Sequence, residues 1–490
     1  MKKLTGIISR TVICLLAAAF LAVPVSADAP YSNYNYSEVT GGLVYAPQAY
    51  LPERVVYAGD MGIGDFKSAA DLFCDDSGLV YVLDSGNSRV AVLENDMSLK
   101  NVFNISFSDL SAESGDIVGA KGIFVDSNYI YIADTLHARI VMLRKSDGKA
   151  VRLIGAPAAE ALGKNFVFKP AAVAVDSDGL LYVVGDGTYE GVINMNTDGE
   201  FLGFFGSNTV STSAWDLFWR RFSTKKQRKT MLQLIPQDFS GIDIDSAGFL
   251  LTTAYTEQNG AMVKRLNPGG SNVIRNRSKI GIAGDPGTIW SGSLSGKSSF
   301  SDVAAGEDNI YACLDYKRGK IFCYDNDGYM LYNFGTIADQ TGGFSAPAAL
   351  TYLGTNSRIA VLDTGTGGIT VFRATDYAEL INTGIHYERK LEYTAAFDYW
   401  EKVVSLNSSC DFAHNSLGQI YYNNSDYSKA KSEFRKANNK NMYSKAVKEL
   451  RSEWIYKNIG YIIAAVLILS AAAVLNGFRK RNKKNVRRGK

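Results

Sequence analysis

A mainly β fold, a six-bladed β-propeller followed by a small α-helical segment and one transmembrane helix, is what the sequence predicts. Three observations carry it: a strand-turn-strand pattern found six times between residues 70 and 373, a 34-residue echo of small and aromatic residues after it, and an uncharged run of 20 residues near the C-terminus.

The chain starts with a leader. Lys2, Lys3 and Arg10 precede an apolar run from Thr11 to Val25 that closes on Val25-Ser26-Ala27, the charged, apolar and small-residue parts of a secretory signal. Residues 1–27 are therefore expected to be removed. Residues 28–375 are assigned to the propeller. Its cleanest unit runs Asp76-Ser77-Gly78-Leu79-Val80-Tyr81-Val82-Leu83-Asp84 and on through Asn87-Ser88-Arg89-Val90. Further copies end their strand at Asp134, Gly185, Ala254, Asp315 and Asp363. Short strands with turn residues between them, repeating at roughly 50 residues, indicate one four-stranded blade per copy, each needing neighbours to cover both faces. For the tyrosine-rich stretch Tyr31 to Tyr57 two readings stay open, an outer strand that closes the ring or a segment outside it.

The motif Gly-apolar-apolar-Tyr-Val-x-Asp-x-x-Asn-x-Arg-Val, as it stands in Gly78 to Val90, resembles the NHL repeat. The resemblance implies the fold and leaves the activity open, because NHL-like propellers include lyases, lactonases, RNA binders and protein-binding modules. Amidating-lyase relatives rely on several histidines. This chain has only His137, His386 and His414, the last two beyond the propeller, which rules out a multi-histidine zinc site there.

In residues 376–457 the pattern becomes helical. Gly384, Tyr387, Tyr393, Ala396 and Trp400 return 34 positions later as Gly418, Tyr421, Tyr427, Ala430 and Phe434, the period of a tetratricopeptide repeat, and these positions are expected to interlock antiparallel helices. Residues 458–478 form the expected span: Ile459 to Phe478 lacks any charge and at about 1.5 Å per residue crosses a hydrocarbon core of about 30 Å. The tail 479–490 follows with eight Lys or Arg and no acid, and Trp454, Tyr456 and Tyr461 stand where an interfacial belt belongs. Together these predict a single-pass cell-membrane protein with its N-terminus outside the cytoplasm and its C-terminus inside.

The net charge of +3 is divided unevenly. Leader and tail hold 11 of the 52 Lys and Arg and none of the 49 Asp and Glu, so the intervening ectodomain is acidic. An acidic surface outside the cell excludes nucleic acid as the expected partner. Past Cys14 of the leader, four cysteines remain, of which Cys313 and Cys323 flank a turn symmetrically; a disulfide and two small core residues both fit.

No nucleophile elbow, phosphate loop, Cys-x-x-Cys or His-Glu-x-x-His is present. The strand-end Asp84, Asp134, Asp315 and Asp363 recur once per blade, and Arg89, Arg139 and Lys320 stand five positions after the first three, which predicts a charge-assisted contact closing the turn. Breaks in the repeat are the better functional candidates. Blades three and four lose the strand-end Asp, and the turns of blades three to five carry Tyr189, Tyr255 and Tyr316, candidate ligand contacts for a sugar or a peptide side chain.

The insert at about 207–236 holds Trp215, Trp219, Arg220, Arg221, Lys225 and Lys226, a basic amphipathic stretch that suits a membrane surface or a partner, or equally caps the propeller. The expected function is a membrane-anchored extracytoplasmic binding or scaffold protein. Its propeller and helical repeats would engage a protein or carbohydrate partner, such as a transport or envelope complex, with no cofactor. The rival is a lactonase-like hydrolase or lyase that holds a divalent metal on channel carboxylates, whose ligands the sequence leaves unknown.

Overall fold

The computed structural model describes residues 29–107, 115–159, 162, 166–206, 239–258, 261–278, 280–287 and 295–488. The expected leader 1–27 and the insert residues Trp215, Trp219, Arg220, Arg221, Lys225 and Lys226 lie outside the described residues.

Six blades form a closed ring. Blade one pairs Ala69–Cys74, Val80–Asp84, Arg89–Leu93 and Leu99–Asn104 in order, and blades two, three and five repeat that four-stranded antiparallel meander. Blade four shows three strands, Phe239–Ile244, Leu250–Gln258 and Ala261–Leu266. Blade six takes three strands from Pro347–Leu353, Thr355–Asp363 and Gly368–Ala374, and its fourth from the start of the chain: Tyr50–Tyr57 pairs with the third strand, Tyr57 opposite Gly368 and Tyr50 opposite Ala374. A strand from one end completing the blade from the other removes the seam that an open ring would expose.

The two readings of the tyrosine-rich stretch are both partly met. Tyr50–Tyr57 closes the ring, whereas Tyr34–Tyr36 and Leu43–Tyr45 make a separate hairpin against the outer strand of blade five, where Asn333 Nδ2 donates to the Tyr34 carbonyl.

Recurrent residues explain the blades. Asp75, Asp176 and Asp245 each close the turn between first and second strands by accepting backbone N–H groups two and four positions on, at 2.9–3.0 Å. The glycine three positions on, as at Gly78 (φ 82°), supplies the left-handed backbone this turn requires. The motif tyrosine of the second strand reaches back to the same carboxylate, Tyr81 to Asp75 at 3.2 Å and Tyr182 to Asp176 at 3.0 Å. The middle strands are mostly buried between neighbours, and Val80–Asp84, Tyr311–Asp315 and Lys320–Tyr324 are buried throughout.

Because the strands alternate in direction, the ring has two distinct faces. One, here the crossover face, carries the turns between second and third strands and the connections from blade to blade. The opposite face carries the other turns, and the helices attach there. Helix α1 (Asp376–Arg389) follows the last strand of blade six, and His386 Nδ1 meets Asp308, in a blade-five turn, at 2.8 Å. Helices α2 (Tyr393–Leu406), α3 (Asp411–Asn423) and α4 (Tyr427–Lys436) complete two helix hairpins. A Cβ on Gly384 would lie 2.9 Å from the Trp400 ring, and one on Gly418 2.7 Å from the Phe434 ring. Only glycine lets these helices approach so closely.

Helix α5 (Lys440–Arg488) packs on α4 at its start, burying Ala446, then runs on as one helix long and apolar enough to cross a membrane. Cys313 and Cys323 are free and buried in adjacent strands, with Cys313 opposite Phe322 and Ala312 opposite Cys323. They are core residues rather than a bonded pair.

Candidate functional site

The crossover face is built from strand ends. In blade one Asp84 is fully buried, accepts Arg89 Nε at 2.6 Å and the Lys67 N–H at 2.8 Å, and so ties its turn to the preceding connection. Blade two repeats this with Asp134 and Arg139 Nε at 2.7 Å, and His137 Nδ1 joins at 2.8 Å. Blade five departs from the expectation. Arg318, three positions on, takes the Asp315 carboxylate at 3.0 Å, while Lys320 turns instead to Asp285 at 3.6 Å and to the Tyr34 hydroxyl. The physical reason is a second buried carboxylate: Asp285 also accepts Tyr34 Oη at 2.5 Å and Tyr36 Oη at 2.7 Å, so Lys320 completes a cluster that ties the start of the chain to blade five. Burial lowers the Lys320 ammonium to about 8.

On this charge-neutralised framework sit exposed apolar side chains. The second-to-third strand turns present Leu136, Tyr189, Tyr255 and Tyr316, and the blade connections and outer-strand ends present Tyr57, Val118, Val167 and Ile337. Within residues 50–374 the one other large apolar side chain among the described residues that stands exposed is Leu202, on an outer strand. The structure brings two of the three predicted tyrosines together: Tyr255 and Tyr316 meet edge to face with ring centroids 6.0 Å apart and are 39% and 47% exposed. Tyr189 is on the same face one blade further round. The long hairpin of blade four, paired out to Gln258 opposite Ala261, lifts Tyr255 to its neighbour.

Several polar groups around this pair are already engaged. Lys297 contacts Glu257, Lys317 reaches the Ser295 carbonyl, and Ser299 Oγ donates to the Tyr255 carbonyl at 2.9 Å. Sequence reasoning missed the non-aromatic members, Leu136, Val118, Val167 and Ile337, because single apolar residues in connections carry no periodicity.

The channel was the other candidate. Asp71, Asp243 and Asp302 lie on inner strands, half-buried, and each carboxylate accepts a backbone N–H of the next blade: Ile123 at 2.8 Å, Ala305 at 2.7 Å and Leu350 at 2.9 Å. Burial pushes Asp243 and Asp302 up to about 7 and Asp71 well above its ordinary range, the last also by repulsion from Asp302 and Asp243. These carboxylates clip blade to blade. Among the described residues no three His, Cys, Asp or Glu side chains come together to hold a metal ion.

No family model and no curated protein matches the chain. Solved structures similar to it include virginiamycin B lyase from Staphylococcus aureus (12% identity, covering 66% of this chain and 88% of that one, TM-score 0.37). Kuenenia stuttgartiensis hydrazine synthase is similar at 9% identity, 63% and 96% coverage and TM-score 0.38. A Bacteroides thetaiotaomicron protein of unknown function is similar at 14% identity, 70% and 76% coverage and TM-score 0.40. Likenesses at this level assign no activity to the chain.

Proposed function

We propose that the chain is a membrane-anchored extracytoplasmic scaffold whose propeller docks a protein partner through its crossover face. In this reading the propeller is of NHL type, the two helix hairpins are tetratricopeptide-like, residues 1–27 are a removed leader, and α5 is the single span with its basic end in the cytoplasm. One observation carries it: among the described residues of 50–374, all the exposed large apolar side chains except Leu202 gather on the face opposite the helices and their anchor.

Apolar groups among self-paired charges suit a protein surface, where aromatic anchors supply most of the binding energy. A sugar would instead require unpaired polar groups beside the rings, and those next to Tyr255 and Tyr316 are engaged. Because the helices hold the opposite face, the crossover face points away from the anchor's attachment, toward a partner rather than toward the lipid beside the span.

The test places a photo-cross-linking residue at Tyr316 or, on the opposite face, at Asn128 in the full chain in its native membrane. A discrete protein adduct from position 316, lost when Tyr255→Ser and Leu136→Ser are added and not formed from position 128, is the expected result. Adducts from both positions alike, or from position 128 alone, would overturn the assignment.

A further inference from the structure

A second concave surface lies on the other side of the ring. Between the helix hairpins and the lower edge of blade five is a cleft of about 680 Å³, within the ordinary range for small-ligand sites. One wall is propeller: Arg275 and Arg277, the latter with Nη1 3.1 Å from Asp327, together with Asp325 and Asn326. The other wall is helical, with Glu388 and Arg389 of α1 facing it beside Asn415, Ser416, Gln419 and Asn423 of α3. Positions 415, 419 and 423 are four apart, so one helix face presents a ladder of amides.

The charges here are largely balanced: Arg275 and Arg277 share Asp327, Arg389 and His386 share Asp308, and the Asp325 and Glu388 carboxyls, both raised by burial to about 7, add roughly one further negative charge between them at neutral pH. Glu388 accepts Trp400 Nε1 at 2.9 Å, and burial raises it to about 7, so it is partly neutral at neutral pH. The amides are half used: Asn415 Oδ1 accepts from Asn439, and Gln419 Nε2 donates to Asn423 Oδ1 at 2.8 Å. Asn415 Nδ2, Gln419 Oε1, the second Gln419 Nε2 proton and Asn423 Nδ2 thus stand available, donors and acceptor together.

We propose that this cleft binds a neutral polyhydroxylated ligand, an oligosaccharide, between the α3 amide ladder and the Arg275 and Arg277 wall. An ionic ligand would have to break ion pairs that already satisfy one another. An extended peptide would seek apolar pockets at alternate side chains, whereas the accessible apolar surface is confined to Tyr329, Ile385, Leu391 and Tyr393, and the apolar liners Leu331, Trp400 and Phe412 are buried among the amide, guanidinium and carboxylate groups. Hydroxyls, each donor and acceptor at once, match such groups, and the half-buried Tyr393 ring at the rim offers an apolar surface for the ring C–H faces. This site is separate from the crossover face, and either can fail without the other.

The experiment is titration calorimetry of the full-length protein in detergent with maltotetraose, cellotetraose and tetra-N-acetylchitotetraose up to about 10 mM, with a neutral ten-residue peptide as counter-probe. The expected result is saturable binding of at least one saccharide, weakened about tenfold or more by Gln419→Ala with Asn423→Ala, or by Arg277→Gln from the opposite wall. The melting temperature should hold, and Tyr255→Ser with Tyr316→Ser should leave this binding unchanged. Overturning results are no saccharide binding, binding that survives both sets of cleft variants, or the peptide binding in the saccharides' place.

Discussion

Blades one and five share a four-strand plan but use buried charge differently. In blade one, Asp84 and Arg89 form a local pair five residues apart, and Arg89 spends its other N–H groups on carbonyls of the connection just before, such as Ile63 at 2.6 Å. In blade five, Asp285, Asp315, Arg318 and Lys320 are all buried, and two of their partners, Tyr34 and Tyr36, come from the far end of the chain. The first arrangement closes a turn. The second holds two remote parts of the sequence together, and it is costlier to break, because removing one member strands the others away from water.

Three measurements sharpen that contrast. Asp285→Ala leaves Lys320 and Arg318 short of a carboxylate and should cost about 3–5 kcal/mol in denaturant unfolding of the full chain, with amide exchange rising first across residues 31–45. A loss confined to blade five, with residues 31–45 still protected, would mean the tyrosines hold without the carboxylate. Arg89→Ala in blade one removes charge-assisted bonds but leaves Asp84 its backbone N–H and Asn87; a smaller cost of about 2 kcal/mol is expected, with exchange rising only around residues 63–90.

The smallest effect is in pH. Lys320 gives up its proton near pH 8 in the folded protein, while the unfolded chain holds it to its ordinary value of 10.5. Stability should therefore rise by on the order of 1–2 kcal/mol between pH 8 and 10 relative to Lys320→Met. Parallel pH profiles for the two proteins would contradict the buried ammonium.

Legibility followed distance along the chain. The six copies, the strand-end Asp residues and the helix-pairing Gly384 and Gly418 were readable, because each is enforced by neighbours at fixed offsets. Asp134 with Arg139 behaves as its spacing predicts. Asp315 does not take Lys320, although the two residues stand opposite each other in the strand register, because Asp285 offers a carboxylate that no local spacing reveals. The same limit hid the cleft: Arg277 and Asp327 are joined to Gln419 only by the way α3 lies against blade five. Of the candidate site, Tyr255 was legible at a departure from the repeat and Tyr316 as an aromatic on the next blade's turn, and their apolar companions in the connections were not.

Ring closure also has a timetable. The strand Tyr50–Tyr57 is among the first parts of the chain to be synthesised, yet its partner Gly368–Ala374 is among the last of the propeller. Until that partner arrives, the early strand has an unsatisfied edge, and the blades between can form but cannot shut. The chain must therefore deliver the whole propeller before its first strand finds its place, which makes the interval of synthesis the period when this protein most needs protection from other strands.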